Sequence, residues 1–165
     1  IVLFNDNAKE LTSGYTFATQ ENVSKYINSI RRVTPSNGTN LFSGINLGLS
    51  HIESDRPTGI ILVTDGVANI GETNRKRLIQ LTQKLDVRFF TFIMGNSANK
   101  PLLEHIAEVS DGFAMTVSNT DDIVGHIMQA ISKLTHYAMH KPTIKIKGIR
   151  VSNLTPEKPK SLYIF

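Results

Sequence analysis

The chain contains no cysteine. Disulfides, thiolate metal sites and cysteine nucleophiles are therefore excluded together, while the compartment stays open, since secreted and cytosolic domains alike can lack the residue. No apolar run approaches the roughly 20 residues that span a bilayer, so no membrane span is expected in this segment. The signatures of common enzymes are missing too. There is no Gly-x-x-x-x-Gly-Lys phosphate loop, no nucleophile elbow around Ser43 or Ser118, and no His-Glu-x-x-His pair. Among His51, His105, His126, His136 and His140, only His136 and His140 fall at i, i+4, and they would chelate a metal only on a helix that ran that far. The basic cluster from His136 to Lys160 has no aromatic stacking platform, so it reads as a solvated surface and no nucleic-acid partner is expected.

What is present describes a globular protein. The 165 residues are 40% apolar and 19% charged with a net charge of +4, enough for one full core and too few for two ordinary domains. A chain that opens at Ile1 without methionine or signal peptide reads as a piece of something longer. The sequons at Asn22, Asn37 and Asn153 match a pattern short enough to arise by chance.

Strand and helix signals alternate along the chain. Ile1 to Phe4 is a short strand, followed by the turn Asn5-Asp6-Asn7 and a second strand around Tyr15 to Ala18. Thr19 has the character of an N-cap, with Val23, Ile27 and Ile30 on one face of the helix behind it, which stops before Pro35. A second helix carries Leu41, Ile45 and Leu49, with Gly44 and Gly48 permitting close approach to a neighbour. Then follow a strand through Ile60 to Thr64, a helix from Arg75 to Leu85, a strand from Val87 to Met94, and a helix opened by Pro101 and closed by Asp111-Gly112. Phe113 to Val117 is one more strand, and Thr120-Asp121-Asp122 caps a last helix with Ile123, Ile127 and Ile131 in line, widened by Val124 and Met128. Continuous apolar strands between amphipathic helices predict an α/β fold with a doubly wound, mostly parallel, Rossmann-like sheet and helices on both faces. After His140 the rhythm breaks. Thr143 to Ile149 and Ser161 to Phe165 read as two strands punctuated by prolines, so the division expected is a domain over 1–140 and a β-rich extension, or the start of a following module, over 141–165.

Two residues carry the candidate chemistry. In an open parallel sheet ligands bind beyond the carboxyl ends of the strands, which is where Gly59-Ile-Ile-Leu-Val-Thr-Asp65 delivers its carboxylate. Upstream, Ser36-Asn-Gly-Thr39-Asn presents a hydroxyl just before an apolar helix. Magnesium takes about six hard oxygen ligands and keeps several waters, so one carboxylate and one hydroxyl are a natural protein share of its shell. Simpler roles compete: Thr39 as the N-cap of the Leu41 helix, and Asp65 with Gly66 as an ordinary turn. Asp6, in its Asn-Asp-Asn context, reads as a turn residue.

Gly38-Thr39-Asn40 before a helix, the strand ending at Asp65-Gly66, and Phe90-Thr-Phe-Ile-Met-Gly95 followed by Leu102 to Asp111 together resemble the von Willebrand factor A-type domain over roughly Ile1 to Leu134. The resemblance implies a protein-binding, adhesion-type module, not an enzyme, in which Mg²⁺ or Mn²⁺ is held by an Asp-x-Ser-x-Ser loop, a Thr and an Asp. It maps the Thr onto Thr39 and the Asp onto Asp65, and it implies a protein ligand recognised through an acidic side chain. No Asp-x-Ser-x-Ser occurs in this chain, because the match begins at the family's second strand, so the metal-ion-dependent adhesion site is incomplete here. By the family's strand order the first strand lies between the one starting at Ile1 and the one ending at Asp65. Residues before Ile1, or a second copy in a homo-oligomer, would supply it. The tail, with Pro142, Pro156 and Pro159, is similar in spacing to inter-alpha-trypsin-inhibitor heavy-chain-like proteins. An extracellular, periplasmic or cell-surface setting is implied by the resemblance alone. Two other readings stay open: a phosphotransfer or hydrolase-type α/β enzyme using Asp65, and a structural A-type module without metal.

Overall fold

The computed structural model describes residues 1–35, 38–53, 55, 58–65, 67–83, 87–95, 99–118 and 122–135, and the backbone of 138–140 and 161–163. Two compact units are present, Ile1–Thr120 and Asp121–Phe165.

The first unit begins with a hairpin. Strand β1 (Val2–Phe4) pairs antiparallel with β2 (Ala8–Glu10), Leu3 opposite Lys9. The turn between them is tight because the Asn5 N–H donates to the Asn7 carbonyl at 3.0 Å, returning the chain at once. That corrects the second strand expected around Tyr15 to Ala18. The strand that returns along β1 is Ala8–Glu10, and the chain leaves through Gly14, whose φ of +69° carries it out of the extended region. Helix α1 (Gln20–Arg31) starts where Thr19 caps it, the hydroxyl accepting from the Asn22 N–H at 3.3 Å. Its apolar stripe of Val23, Ile27 and Ile30 stays exposed, and the helix buries no residue.

Helix α2 (Leu41–Leu49) buries Leu41, Ile45 and Leu49. Its Gly44 lies against the Phe4 ring, where an added Cβ would come within 2.7 Å, so the absent side chain is what lets β1 pack on the helix. Next come β3 (Gly59–Thr64), α3 (Arg75–Thr82), β4 (Arg88–Met94), α4 (Lys100–Val109) and β5 (Phe113–Val117). Helix α3 ends at Thr82 with Gln83 as its C-cap, and the remainder of the helix expected to Leu85 lies outside the described residues. Strands β3, β4 and β5 form a parallel sheet in that order.

The register sorts side chains by face. Ile61, Phe90 and Phe113 are aligned across the three strands, as are Val63, Phe92 and Met115, so these share one face. The Phe90 and Phe113 rings meet there at 5.2 Å between centroids. The other face bears Leu62, Phe89 and Ile93, packed with Leu41 and Ile45 of α2, Leu78 and Leu81 of α3, and Leu103 and Ile106 of α4. Both faces of β4 are covered, since Phe89 and Phe90 are alike buried. The fold is α/β with a parallel sheet wound by alternating helices, as the sequence pattern predicts.

In the second unit α5 (Ile123–Thr135) is capped by Asp122, whose carboxylate accepts from the Gly125 N–H at 2.9 Å, while Thr120 and Asp121 lie outside the described residues. Ala130 is buried on this helix, whereas Ile123, Val124, Met128 and Ile131 are exposed. The helix stops at Thr135, and His140 belongs to β6 (Ala138–His140), which pairs antiparallel with β7 (Ser161–Tyr163). The i, i+4 chelate of His136 with His140 is thereby excluded, because one helix does not hold both. The strand expected over 143–149 lies outside the described residues.

The α4–β5 turn is the tightest joint in the sheet. Asp111 sits at φ 56°, Gly112 donates its N–H to the Ala107 carbonyl at 2.9 Å, and a Cβ at Gly112 would fall 1.8 Å from the Phe89 carbonyl oxygen. Backbone cannot swing aside as a flexible side chain can. Gly112→Ala is expected to cost about 3 kcal/mol, the upper end of overpacking. Gly14→Ala meets nothing within 4 Å and bears only its backbone strain; the expected cost is about 1 kcal/mol. Urea unfolding of both variants checks this, and equal midpoints would contradict the backbone clash.

Candidate functional site

Three segments meet at the carboxyl ends of β1 and β3. Asn40 joins two of them directly. Its N–H donates to the Asn5 carbonyl at 2.6 Å, its side-chain Nδ2 donates to the Asp6 carbonyl at 2.9 Å, and its Oδ1 accepts from the Ser43 N–H at 3.0 Å. The same side chain lies against Gly71 in the loop after β3, where a Cβ would come within 2.6 Å. Asn40 is thus the N-cap of α2. The alternative role for Thr39, as cap of that helix, is overturned by this geometry.

Thr39 is held differently. Its N–H donates to the Asn69 side-chain oxygen at 2.8 Å, and the Asn69 N–H donates back to the Thr39 carbonyl at 3.2 Å. Both main-chain groups are occupied, while the Thr39 hydroxyl has no hydrogen-bond partner among the described residues. Asp65 follows directly on β3 and is exposed. Thr39 and Asp65 line one groove of about 1060 Å³, which runs between β1 and β3. Gly66, the second half of the possible Asp-Gly turn, lies outside the described residues.

Asp6 joins this rim as well. Gly38 has φ +102°, and a Cβ there would fall 1.8 Å from Asp6 Oδ1 and 2.5 Å from Ile70 Cδ1. The Asp6 carboxylate therefore packs against the main chain one residue before Thr39. Asn40, Asn69 and this contact of Asp6 are the parts of the site that sequence reasoning missed. Asn40 was legible as a capping residue immediately before Leu41, but Asn69 lies in a loop whose pairing with Thr39 no local pattern announces.

The side chains of Thr39 and Asp65 both offer oxygens, which suits a hard cation in kind. In number they are few. Among the described residues no group of three His, Asp or Glu side chains converges as a metal site.

Further along the same loop, Glu72 accepts from the Asn74 N–H at 2.9 Å and pairs with Arg77 at 2.7 Å. The backbone hydrogen bond, then the bond from Arg77, hold its carboxyl below the ordinary glutamate value. A carboxyl lowered in the folded state stabilises it above the unfolded-state pKa and loses that contribution as pH falls through the lowered value. A carboxyl-resolved NMR titration is expected to place Glu72 below the ordinary glutamate value, and Arg77→Ala to move it part of the way back up; an unmoved midpoint would contradict the pairing.

Gly38→Ala is expected to destabilise the chain by about 2 kcal/mol, combining left-handed backbone strain with displacement of Asp6. In an Asp6→Ala background the cost should fall toward about 1 kcal/mol, leaving the backbone strain and the contact with the mobile end of Ile70. A denaturation double-mutant cycle measures this, and strict additivity would rule out the contact.

The family model of the von Willebrand factor type A domain matches residues 1–130. Inter alpha-trypsin inhibitor, heavy chain 4, of Mus musculus is 27% identical over 135 residues, 74% of this chain and 14% of that protein. Inter-alpha-trypsin inhibitor heavy chain H1 of Mesocricetus auratus is 23% identical over 175 residues, 99% of this chain and 19% of that protein. The chain thus spans less than a fifth of either relative. Among solved structures, proximal thread matrix protein 1 from the mussel byssus superposes with a TM-score of 0.62 at 22% identity, over 79% of this chain and 32% of that one. The conserved hypothetical protein BatB of Bacteroides thetaiotaomicron gives 0.62 at 17% identity, over 81% and 77%. These likenesses support the fold. With the family model covering all but the last 35 residues, the chain belongs to the von Willebrand factor type A family.

Proposed function

We propose that this chain is a protein-binding module, not an enzyme, and that it engages an acidic side chain of its partner with the help of Mg²⁺ or Mn²⁺. The observation that carries the proposal is the state of Thr39: its backbone is pinned on both sides by Asn69 while its hydroxyl has no hydrogen-bond partner among the described residues, in the groove that Asp65 also lines. Main chain fixed and side chain spare is the arrangement a ligand position needs.

Thr39 contributes a neutral oxygen and Asp65 a charged one. A divalent cation bound there supplies an unsaturated coordination position that a carboxylate can fill. One carboxylate cancels half of the cation's charge and leaves one positive charge, so recognition of an anionic group follows from the donor set. Thr39 and Asp65 fill only part of a hard ion's shell, and the remaining ligands come from outside this pair. A metal-free module that binds by shape is the second reading. It is favoured by the absence of three converging His, Asp or Glu side chains among the described residues.

Titration with Mn²⁺, followed by calorimetry and by paramagnetic broadening of amide signals, separates the two. Broadening is expected at residues 38–40 and 65. Asp65→Ala should abolish it, and Thr39→Val should weaken binding about tenfold, as expected for removing one neutral ligand. Absence of broadening in the parent chain would leave the metal-free module standing.

A further inference from the structure

Helices α3 and α4 both open with bases. Arg75, Lys76 and Arg77 are the first residues of α3, Lys100 is the first of α4, and neither first turn contains an acid. The N-terminal end of a helix is the positive pole of its dipole, so acids stabilise a helix there and bases do not. Folding stability alone gives no reason for these side chains.

The fold brings the two helix ends together. In a parallel α/β sheet the helix after a strand starts beside that strand's carboxyl end, and α3 follows β3 as α4 follows β4. One bond joins them directly: the Arg75 guanidinium donates to the Pro101 carbonyl at 3.3 Å, which sets it in the first turn of α4, beside Lys100 in sequence. Asp65 lies on the same rim, and the loop that carries Asn69, the partner of Thr39, leads on to α3.

Little on this rim neutralises the charge. Glu72 pairs with Arg77 at 2.7 Å, whereas Glu104, one turn beyond Lys100 on α4, forms no ion pair with it. The ammonium groups of Lys76 and Lys100 have no hydrogen-bond or ion-pair partner among the described residues, and Arg75 and Lys76 are exposed. Main-chain donors are not what is on offer. Asn74 Oδ1 already accepts from the Lys76 and Arg77 N–H groups at 3.0 and 3.3 Å, so the rim presents cationic side chains.

We propose that the rim formed by Arg75, Lys76 and Lys100 receives an acidic stretch of the partner protein, an extended segment with its carboxylates spaced along the chain. The choice of a protein partner rests on the protein-binding reading above; the attraction itself does not depend on a cation at Thr39 and Asp65. A peptide fits this rim better than a sulphated glycan does, because two carboxylates stand among the bases. A densely sulphated chain would lay charge against Glu72 and Glu104, whereas a peptide can set acids opposite the bases and neutral residues opposite the acids. Exposed ion pairs are weak one at a time. Several on one surface steer the encounter and add an affinity that falls as salt is raised.

The test uses the whole 165-residue chain in EDTA, a capped peptide in which glutamate alternates with serine, and the same peptide with glutamine for glutamate. The glutamate peptide is expected to bind, to shift the amide signals of residues 75–77 and 100, and to weaken with added sodium chloride; the glutamine peptide should do none of these. Lys76→Glu combined with Lys100→Glu should weaken binding about tenfold, since each change turns an attraction into a repulsion. The same pair should raise the thermal midpoint, because each helix then has an acid at its positive pole, so lost binding with a raised midpoint cannot come from unfolding. Should that variant fold poorly, Lys76→Gln with Lys100→Gln removes the charges alone and should weaken binding about threefold. Lys25→Glu, in the middle of α1, carries the same charge change and should leave binding as it is. Failure of the glutamate peptide to bind in EDTA, or equal binding by the parent and the lysine variants, would overturn the proposal. Uptake of a heparin hexasaccharide without uptake of the peptide would overturn it in favour of a glycan. Peptide binding that requires Mn²⁺ and ignores both lysines would overturn it and leave the cation site standing; binding in EDTA that both lysines govern, with no Mn²⁺ broadening at 38–40 and 65, would support it and reject the cation site.

Discussion

The organisation of the upper rim depends on one side-chain amide. Asn40 has a donor end and an acceptor end, and it uses them in different directions: the NH₂ toward the β1–β2 turn, the oxygen toward the first turn of α2. Neither an aspartate nor a leucine can do both. Aspartate would set a carboxylate against the Asp6 carbonyl, and leucine would strand the Ser43 N–H and the Asp6 carbonyl together. Because the same side chain also fills the space beside Gly71, three loops take their positions from a single residue.

Beneath that rim the sheet is organised around β4, whose successive side chains are buried on both faces. Its Phe89 and Ile93 point into the cluster built by α2, α3 and α4, and its Phe90 and Phe92 point to the aromatic face. Apolar surface is left on the elements further out. Helix α1 has an apolar stripe and buries none of it, and α5 exposes most of its own. For both helices the periodicity marks an apolar face, and much of that face is exposed.

The sequence was most informative where local pattern and tertiary demand coincide. Strands β3, β4 and β5 are continuous apolar runs, and a run buried on both sides has no other way to look. Capping was legible at Thr19, whose hydroxyl accepts from the turn that it opens, whereas Asn74 and Asn99 cap α3 and α4 without having been singled out by the pattern. The second strand was misplaced because its residues, Ala8-Lys9-Glu10, carry no β-branched or aromatic side chain; pairing there is imposed by the tight Asn5–Asn7 turn and not by propensity. Within the candidate site, Asp65 was readable from its place after an apolar strand, and Thr39 from the polar turn before a helix. The partners that fix Thr39 were not, for Asn69 lies thirty residues away and its role exists only once β3 and α2 are side by side.

That pairing of Thr39 with Asn69 has a kinetic and entropic side. Two hydrogen bonds running in opposite directions tie the loop before α2 to the loop after β3, so the two move as one body. Ordering a flexible loop at the moment of association subtracts from affinity, and here that ordering is completed during folding. Whatever docks on this rim meets a preorganised surface, and its residence time is governed by the contacts it makes and not by loops that must first be arrested.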